Sequence, residues 1–146
     1  MCGIVGTLTS NSGNSDRILT ILKAMTKSLT HRGPDAEGLW TEGALAFGHR
    51  RLSIQDLSDA GAQPMHSEDE RHVIIFNGEI YNHLDMRQDL EADNAAPAWR
   101  GHSDTETLLA GVAYWGLDET LLRAKGMFAL ALWNRSEKKL HLARDR

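Results

Sequence analysis

The 146-residue chain is 41% hydrophobic and 25% charged, proportions typical of a globular protein, and its length suits a single domain. A net charge of -4 argues against a nucleic-acid surface, which needs a basic stripe, and no apolar segment is long enough to cross a bilayer. We therefore expect no nucleic-acid partner, no membrane partner and, since no Cys/His set has metal-ligand spacing, no metal site.

The first 35 residues predict one strand and one helix. A short buried strand over residues 4–9 precedes a turn-rich loop, SNSGNS. A helix from Ser15 follows, because apolar side chains recur every three or four residues, at Ile18, Leu22, Met25 and Leu29. The helix ends at HRGPD, since Pro34 lacks an N–H and disfavours helix at the residue before it.

Strand patterns dominate the middle of the chain. Residues 39–41 and 44–49 predict a hairpin that turns around Glu42-Gly43. The apolar run VIIF at 73–76 predicts a central strand that is buried on both faces.

Two helices and a second hairpin complete the pattern. The helices are expected over 83–92 and 104–115, the second ending at Gly116. The last 20 residues predict two strands around a polar turn at 134–138. Short strands with helices between them indicate an α+β fold, in which antiparallel sheets are covered by helices.

Polar clusters interrupt the apolar segments at HRGPD (31–35), HRRLSI (49–54), FNGEIYN (76–82) and SDTE (103–106). Within FNGEIYN, the pair Asn77-Gly78 alone favours a type I′ hairpin turn. Glu79, Tyr81 and Asn82 follow at once, so polar groups gather where a buried strand emerges. A turn and a functional site both remain open at this point.

Cys2, the only cysteine, has three interpretations. It is an ordinary terminal residue, a lipid-modified thiol, or a nucleophile that carries a free α-amine once the initiator methionine is removed. No basic or amphipathic segment accompanies it, which argues against a lipid anchor. A lone cysteine forms no intrachain disulfide, and this fits a cytoplasmic location.

Seven motifs follow one another along the chain: MCGIVG, HRGPD, RLSI, FNGEIYN, SDTE, GMFALALW and LARDR. In this order they resemble the glutamine-hydrolysing domain of asparagine synthetase, a class II glutamine amidotransferase with an N-terminal nucleophile. The resemblance covers residues 1–146 and implies the four-layer αββα sandwich of the N-terminal-nucleophile hydrolases. That fold agrees with the strand-rich pattern.

The resemblance implies that Cys2 becomes the first residue and attacks glutamine. Its α-amine is then a suitable base at neutral pH, since such amines titrate near ~7.7–8.0 in model peptides. By motif match, the side-chain amide of Asn77 and the backbone N–H of Gly78 stabilise the oxyanion. The same match explains why no Cys–His pair is needed.

The resemblance also assigns the groups that bind the amino-acid end of glutamine. Arg51, chosen over Arg50 by register alone, holds the α-carboxylate. Asp104 and the backbone at Glu79 hold the α-ammonium, although a carboxylate at Asp104 is favoured at a helix start anyway. Main-chain groups of Leu52 and Ile54 line the pocket. We expect His31, Arg32 and Asp35 to be structural.

Residues 1–146 are expected to be an incomplete amidotransferase domain, truncated at its C-terminus, since relatives continue beyond LARDR into further strands and an ATP-using synthetase domain. We therefore expect no cofactor in this chain, with ATP and magnesium used only by the synthetase domain. The expected partners are L-glutamine and that domain, in cis or in trans. An exposed sheet edge and self-association, as in a homodimer, are also expected.

Two alternatives to asparagine synthesis stay open. The chain is an inactive module that docks to a synthetase, or it serves an enzyme that amidates another acceptor, such as a sugar or a cell-surface precursor. No residue in the chain distinguishes between acceptors, because the glutaminase half does not contact them.

Overall fold

The structure is a computed structural model that describes residues 2–10, 15–53, 56 and 58–146. These residues form seven strands: β1 (Gly3–Leu8), β2 (Ala36–Glu42), β3 (Leu45–Arg51), β4 (Met65–His66), β5 (His72–Ile80), β6 (Gly126–Asn134) and β7 (Lys139–Arg144). They also form four helices and a 3-10 turn: α1 (Ser15–Ser28), α2 (His83–Ala92), α3 (Asp104–Trp115), α4 (Leu117–Arg123) and the turn Asp59–Gly61.

The strands pair in two antiparallel sheets, one in the order β1-β3-β2 and the other in the order β4-β5-β6-β7. Both predicted hairpins are confirmed, as β2–β3 and β6–β7. In the second hairpin, the side-chain oxygen of Asn134 accepts the N–H groups of Ser136 and Glu137, which fixes the polar turn.

Three apolar clusters separate four layers, so the expected αββα sandwich is confirmed. Between α1 and the three-stranded sheet lie Ile18, Leu22 and Ala46. Between the two sheets lie Leu45, Phe47, Val73, Ile75, Ala131 and Trp133. Between the four-stranded sheet and helices α2 to α4 lie Ile74, Phe76, Met86, Leu108, Leu109 and Leu130, among others.

β5 is the central strand that the VIIF run predicted. Val73 and Ile75 face the three-stranded sheet, whereas Ile74 and Phe76 face the helices. All four side chains are at most 2% exposed. The strand therefore shows an unbroken apolar run instead of alternating polarity, because both of its faces are buried.

The turn interpretation of Asn77-Gly78 is wrong. β5 continues through this pair to Ile80, with Asn77 opposite Ala129 and Gly78 opposite Phe128 on β6. The long-range pairing with β6 overrides the local turn preference, so Asn77 and Glu79 lie on a strand inside the sheet, whereas Tyr81 and Asn82 follow its end.

Helix α4 and strand β4 were not expected. α3 ends before Gly116 as predicted, but a second helix begins at once, and its Leu117 and Leu121 pack against the cluster below α3. β4 has two residues, too few to give a pattern. Both elements depend on contacts with distant parts of the chain, which a local pattern does not record.

β7 lies at one edge of the four-stranded sheet, where the sequence led us to expect an exposed edge. Its Leu142 is 75% exposed. Self-association through this edge stays a prediction.

Replacing Leu22 by Ala should lower the free energy of unfolding by about 2–5 kcal/mol, because this α1 residue is fully buried against the three-stranded sheet and truncation leaves a cavity. Urea denaturation measures the change. Leu84→Ala is the control, since Leu84 is 62% exposed on α2 and should change stability by less than about 0.5 kcal/mol. Equal losses of stability in the two variants would contradict the burial of Leu22 between α1 and the three-stranded sheet.

Candidate functional site

One cavity of about 170 Å³ brings together residues from both sheets, the loop after β3 and the start of α3. Of the residues that the motifs singled out, it is lined by Cys2, Arg51, Leu52, Asn77, Gly78, Glu79 and Asp104. Ile54 lies outside the described residues. Positions up to about a hundred residues apart in sequence therefore share one small cavity.

A larger cavity of about 700 Å³ lies elsewhere, between the loop at 93–100, α3 and the turn before β5. Its lining contains no cysteine and none of the predicted site residues. The smaller cavity is the better candidate for chemistry, because it holds a thiol together with polar groups that lack partners.

Cys2 lies just before β1 and is fixed by main-chain contacts. The Leu52 N–H donates to Cys2 Sγ at 3.4 Å, and Arg32 Nε donates to the Cys2 carbonyl oxygen at 3.1 Å. The antiparallel register pairs Gly3 with Arg50, which brings the end of β3 beside the thiol. Arg32 thus has the structural contact that we expected of it.

The direction of the N–H groups along β5 follows from its pairing with β6. Tyr81 N donates to Lys125 O at 2.7 Å, and Arg135 N donates to Arg71 O at 2.9 Å. Odd-numbered residues of β5 therefore bond to β6, and even-numbered residues point to the opposite side. On that side β4 covers only Val73 and Ile74, so the rest of the β5 edge is open to other partners.

Two side chains cover this open edge and leave a gap between them. Gln63 Oε1 accepts the Phe76 N–H at 2.6 Å, and Asp104 Oδ2 accepts the Ile80 N–H at 2.8 Å. The Gly78 N–H lies between the two, and no residue in the described part of the chain accepts its hydrogen bond. A main-chain donor is therefore available at the cavity wall.

Only glycine fits at position 78. A Cβ there would lie 2.3 Å from the Met127 carbonyl oxygen and 2.5 Å from Phe128 Cβ. The neighbouring Asn77 has a buried side-chain oxygen that finds no hydrogen-bond partner within the described ranges. The unpaired atom is an acceptor, and leaving such an atom buried without a partner typically costs about 1–3 kcal/mol.

The two adjacent arginines, Arg50 and Arg51, have different partners. Arg50 Nη1 forms an ion pair with Glu37 at 3.1 Å, whereas Arg51 is buried at the cavity. Arg51 Nη1 donates to Ser58 O at 2.8 Å, and Nη2 donates to Asp56 O. The Arg51 guanidinium is therefore held by carbonyl groups of the loop after β3.

Asp104 is the first residue of α3, which Ser103 caps by accepting the Glu106 N–H at 3.2 Å. Burial raises the pKa of Asp104 above its usual value, while the hydrogen bond from Ile80 N–H opposes this rise. Asp104 and Arg51 both line the cavity. The cavity thus has a cationic group from the end of β3 and an acidic group from the start of α3.

Sequence reasoning missed Asp56, Gln63 and His49. Asp56 and Gln63 line the cavity, and both lie in the loop after β3, which has no periodic pattern to mark them. The only available signal is that both lie in the polar stretch that follows RLSI.

His49 connects the two sheets behind the cavity. It is 1% exposed, and its Nε2 donates to the Phe76 carbonyl oxygen at 3.3 Å. Burial lowers the pKa of His49 to about 4; the hydrogen bond to Phe76 opposes this, and the nearby charge of Arg51 adds to it. His49 is therefore neutral, and its ring N–H links β3 to β5 at Phe76, the residue before Asn77.

No group of three or more His, Cys, Asp or Glu side chains in residues 2–10, 15–53, 56 and 58–146 is arranged to hold a metal ion. Among the helices that the structure describes, none is long and apolar enough to span a membrane.

The sequence matches the glutamine amidotransferase domain over residues 1–146. Asparagine synthetase [glutamine-hydrolyzing] 1 of Bacillus subtilis (strain 168) is 40% identical, over 99% of this chain and 22% of that protein. Amidase chry2 of Gibberella zeae is 34% identical, over 100% of this chain and 23% of that protein. The chain thus spans less than a quarter of these relatives.

A solved structure has the same fold: glutamine phosphoribosylpyrophosphate amidotransferase from B. subtilis, complexed with ADP and GMP. The superposition has a TM-score of 0.57 at 23% identity, and it covers 72% of this chain and 24% of that one.

Lowering the pH from 7 to 5 should destabilise the protein through His49. Its folded-state pKa of about 4 lies below the ordinary value of 6.5, so the unfolded chain binds the proton first as the pH falls. The stability that neutral His49 contributes is complete above pH 6.5 and is lost as the pH falls toward 4, by ~2 kcal/mol between pH 7 and 5.

Urea denaturation at the two pH values measures this loss in wild type, His49→Gln and His31→Gln. The His49→Gln variant should lose less stability on acidification than wild type, whereas the exposed His31→Gln should behave as wild type does. Identical pH dependence in all three proteins would contradict a buried neutral His49.

Proposed function

The chain belongs to the glutamine amidotransferase domain family, which its sequence matches over residues 1–146, and we propose that it hydrolyses L-glutamine to glutamate and ammonia. One arrangement carries the proposal: Cys2, the side-chain amide of Asn77 and the open N–H of Gly78 line a single cavity. A thiol beside two donors suits attack on a carboxamide, because the tetrahedral intermediate carries its charge on oxygen.

In the proposed mechanism, Cys2 supplies both the nucleophile, which is its thiol, and the general base, which is its α-amine. Once Met1 is removed, the α-amine of Cys2 takes the thiol proton, and Sγ bonds to the side-chain carbonyl carbon of glutamine. The Asn77 amide and the Gly78 N–H donate to the resulting oxyanion. The protonated amine then gives its proton to the departing nitrogen, which leaves as ammonia, and water hydrolyses the thioester to release glutamate and the thiol.

The amino-acid end of glutamine is proposed to bind between Arg51 and Asp104. Two of the five guanidinium donors of Arg51 are used by carbonyl groups, which leaves donors for an α-carboxylate. One oxygen of Asp104 accepts the Ile80 N–H, and the other accepts the Thr105 hydroxyl at 3.5 Å, which leaves that oxygen a second lone pair for an α-ammonium group. Main-chain groups of Leu52, Ile54 and Glu79 are proposed to complete the pocket.

The ammonia is proposed to serve an ATP-dependent amide transfer of the asparagine-synthetase type, by a synthetase domain in cis or in trans. The similarity to asparagine synthetases supports this, and the chain spans only 22% of the B. subtilis protein. ATP and magnesium would act in that domain. A cytoplasmic location suits the proposal, because the thiol stays reduced there.

Transfer of the ammonia to a different acceptor remains a candidate function. The chain is 34% identical to amidase chry2 over its whole length, so related domains occur in proteins that are not named asparagine synthetases. In that case the glutaminase chemistry is the same and only the acceptor differs.

The purified chain should hydrolyse glutamine, and its mature form should begin at Cys2, because only a free α-amine acts as the base. A coupled glutamate assay and intact-mass measurement test both points on one sample. Cys2→Ala should abolish turnover, and Cys2→Ser should retain at most a small fraction of it, since a hydroxyl is a weaker nucleophile than a thiol. Full activity with Met1 retained would refute this mechanism.

Asn77→Asp should lower kcat by about 10²–10³-fold, because a carboxylate replaces an oxyanion donor without changing the side-chain shape. KM for glutamine should change much less, since the lost interaction forms mainly in the transition state.

The matched control is Asn82→Asp, just after β5. The Asn82 side chain bonds to Arg123 O and Lys125 N instead of lining the cavity, so kcat should stay within about twofold of wild type. Near-normal turnover by Asn77→Asp would remove Asn77 from the oxyanion role.

A further inference from the structure

Asp56 bonds to groups on both sides of the cavity. Its Oδ1 accepts the Ser58 N–H at 2.8 Å and the Ser58 hydroxyl at 2.6 Å, and its Oδ2 accepts the His102 N–H at 2.9 Å. Its main-chain oxygen accepts from Arg51 Nη2. One residue therefore joins the loop that holds Arg51 to the segment that leads into Asp104.

We propose that Asp56 is a positioning residue that sets the distance between the two ends of the glutamine pocket, by fixing Arg51 at one end and the start of α3 at the other. This inference rests on the proposed function, because Arg51 and Asp104 are assigned there to the carboxylate and the ammonium of glutamine. Asp56 itself acts through these two residues.

The packing at Gly101 supports this positioning role, because Gly101 lies directly against the Asp56 carboxylate. A Cβ at position 101 would lie 2.3 Å from Asp56 Oδ2, so only glycine lets the carboxylate reach His102 N. Gly101 is itself held from the far side, since Arg87 Nη1 donates to its oxygen at 3.0 Å and its N–H donates to Glu106 Oε2 at 3.1 Å.

The segment before α3 is therefore anchored on a buried ion pair. Arg87 and Glu106 are 3.4 Å apart, with side chains that are 11% and 5% exposed. Asp56 joins this rigid segment to the loop after β3. Its carboxylate is ionised at neutral pH, because hydrogen bonds from the Ser58 side chain and then from His102 N–H lower its pKa to about 2.

A purely local role for Asp56 is the alternative, since a carboxylate that caps its own turn also stabilises a loop. The chain provides a matched carboxylate with that local role alone. Asp69 Oδ1 accepts the Ser67 hydroxyl at 2.6 Å and the Arg71 N–H at 3.0 Å, in a turn outside the glutamine cavity.

The test compares steady-state glutamine hydrolysis by wild type, Asp56→Asn and Asp69→Asn. Asp56→Asn should raise KM for glutamine by about tenfold to a hundredfold, the effect of losing a hydrogen bond to a charged group, with kcat within about threefold of wild type. Asp69→Asn should leave KM within about twofold. The rate of Cys2 alkylation by iodoacetamide should be the same in all three, because the thiol is held by other contacts.

Gly101→Ala is the second variant, since it displaces the Asp56 carboxylate without changing any charge. It should raise KM in the same way, and circular dichroism shows whether each variant is folded. An unchanged KM in either folded variant, an equal rise in Asp69→Asn, or a fall in kcat alone would overturn the inference. Unfolding of both variants would overturn it too, since Asp56 would then serve the fold. A wild-type chain without glutaminase activity would instead contradict the proposed function.

Discussion

The open edge of β5 is the constraint on which the site depends. Main-chain N–H groups in a buried position need acceptors, and β4 pairs with only Val73 and Ile74 of β5, of which Ile74 alone points its N–H toward β4. Beyond it, Gln63 and Asp104 each take one N–H from the side, at Phe76 and Ile80. The donor left between them, at Gly78, is the one that faces the cavity. A strand that paired along its whole length would have no donor to offer, so the shortness of β4 creates the site.

The sandwich holds the open edge of β5 in place. β5 is buried by the second sheet on one face and by α2 to α4 on the other, so its position does not depend on the groups at its edge. His49 adds a polar link between the sheets and stays neutral because it is buried. Cys2 lies at the start of β1, beside the end of β3, so a terminal residue acquires a fixed place through main-chain contacts. The two sheets hold the proposed nucleophile and oxyanion donors in fixed positions, and stabilisation of an oxyanion requires donors that are preorganised in this way.

The two ends of the pocket are built differently from its centre. Arg51 ends β3, but its guanidinium is held by the following loop, and Asp104 begins α3. Loops and helix starts vary in position more than sheet strands do, so residues that join them determine the size of the pocket. Asp56 and the buried pair Arg87–Glu106 supply that connection. Under the proposed function, the chemistry therefore belongs to the strands and the recognition of glutamine to the segments that follow or precede them.

The sequence by itself determined most of the strands and helices and predicted candidate residues that line one cavity. Helix periodicity placed α1 and α3, apolar runs placed β5, and the ordered motifs identified Cys2, Asn77 and Gly78, because these signals are local or carried by the residues themselves. Only the tertiary structure decided that Asn77-Gly78 is strand and not turn, since pairing with β6 outweighs local preference. It alone showed α4, the open edge beyond β4, and the roles of Gln63, His49 and Asp56. Each of those depends on a contact between distant segments, and hydrogen bonds of that kind leave no periodic pattern in a sequence.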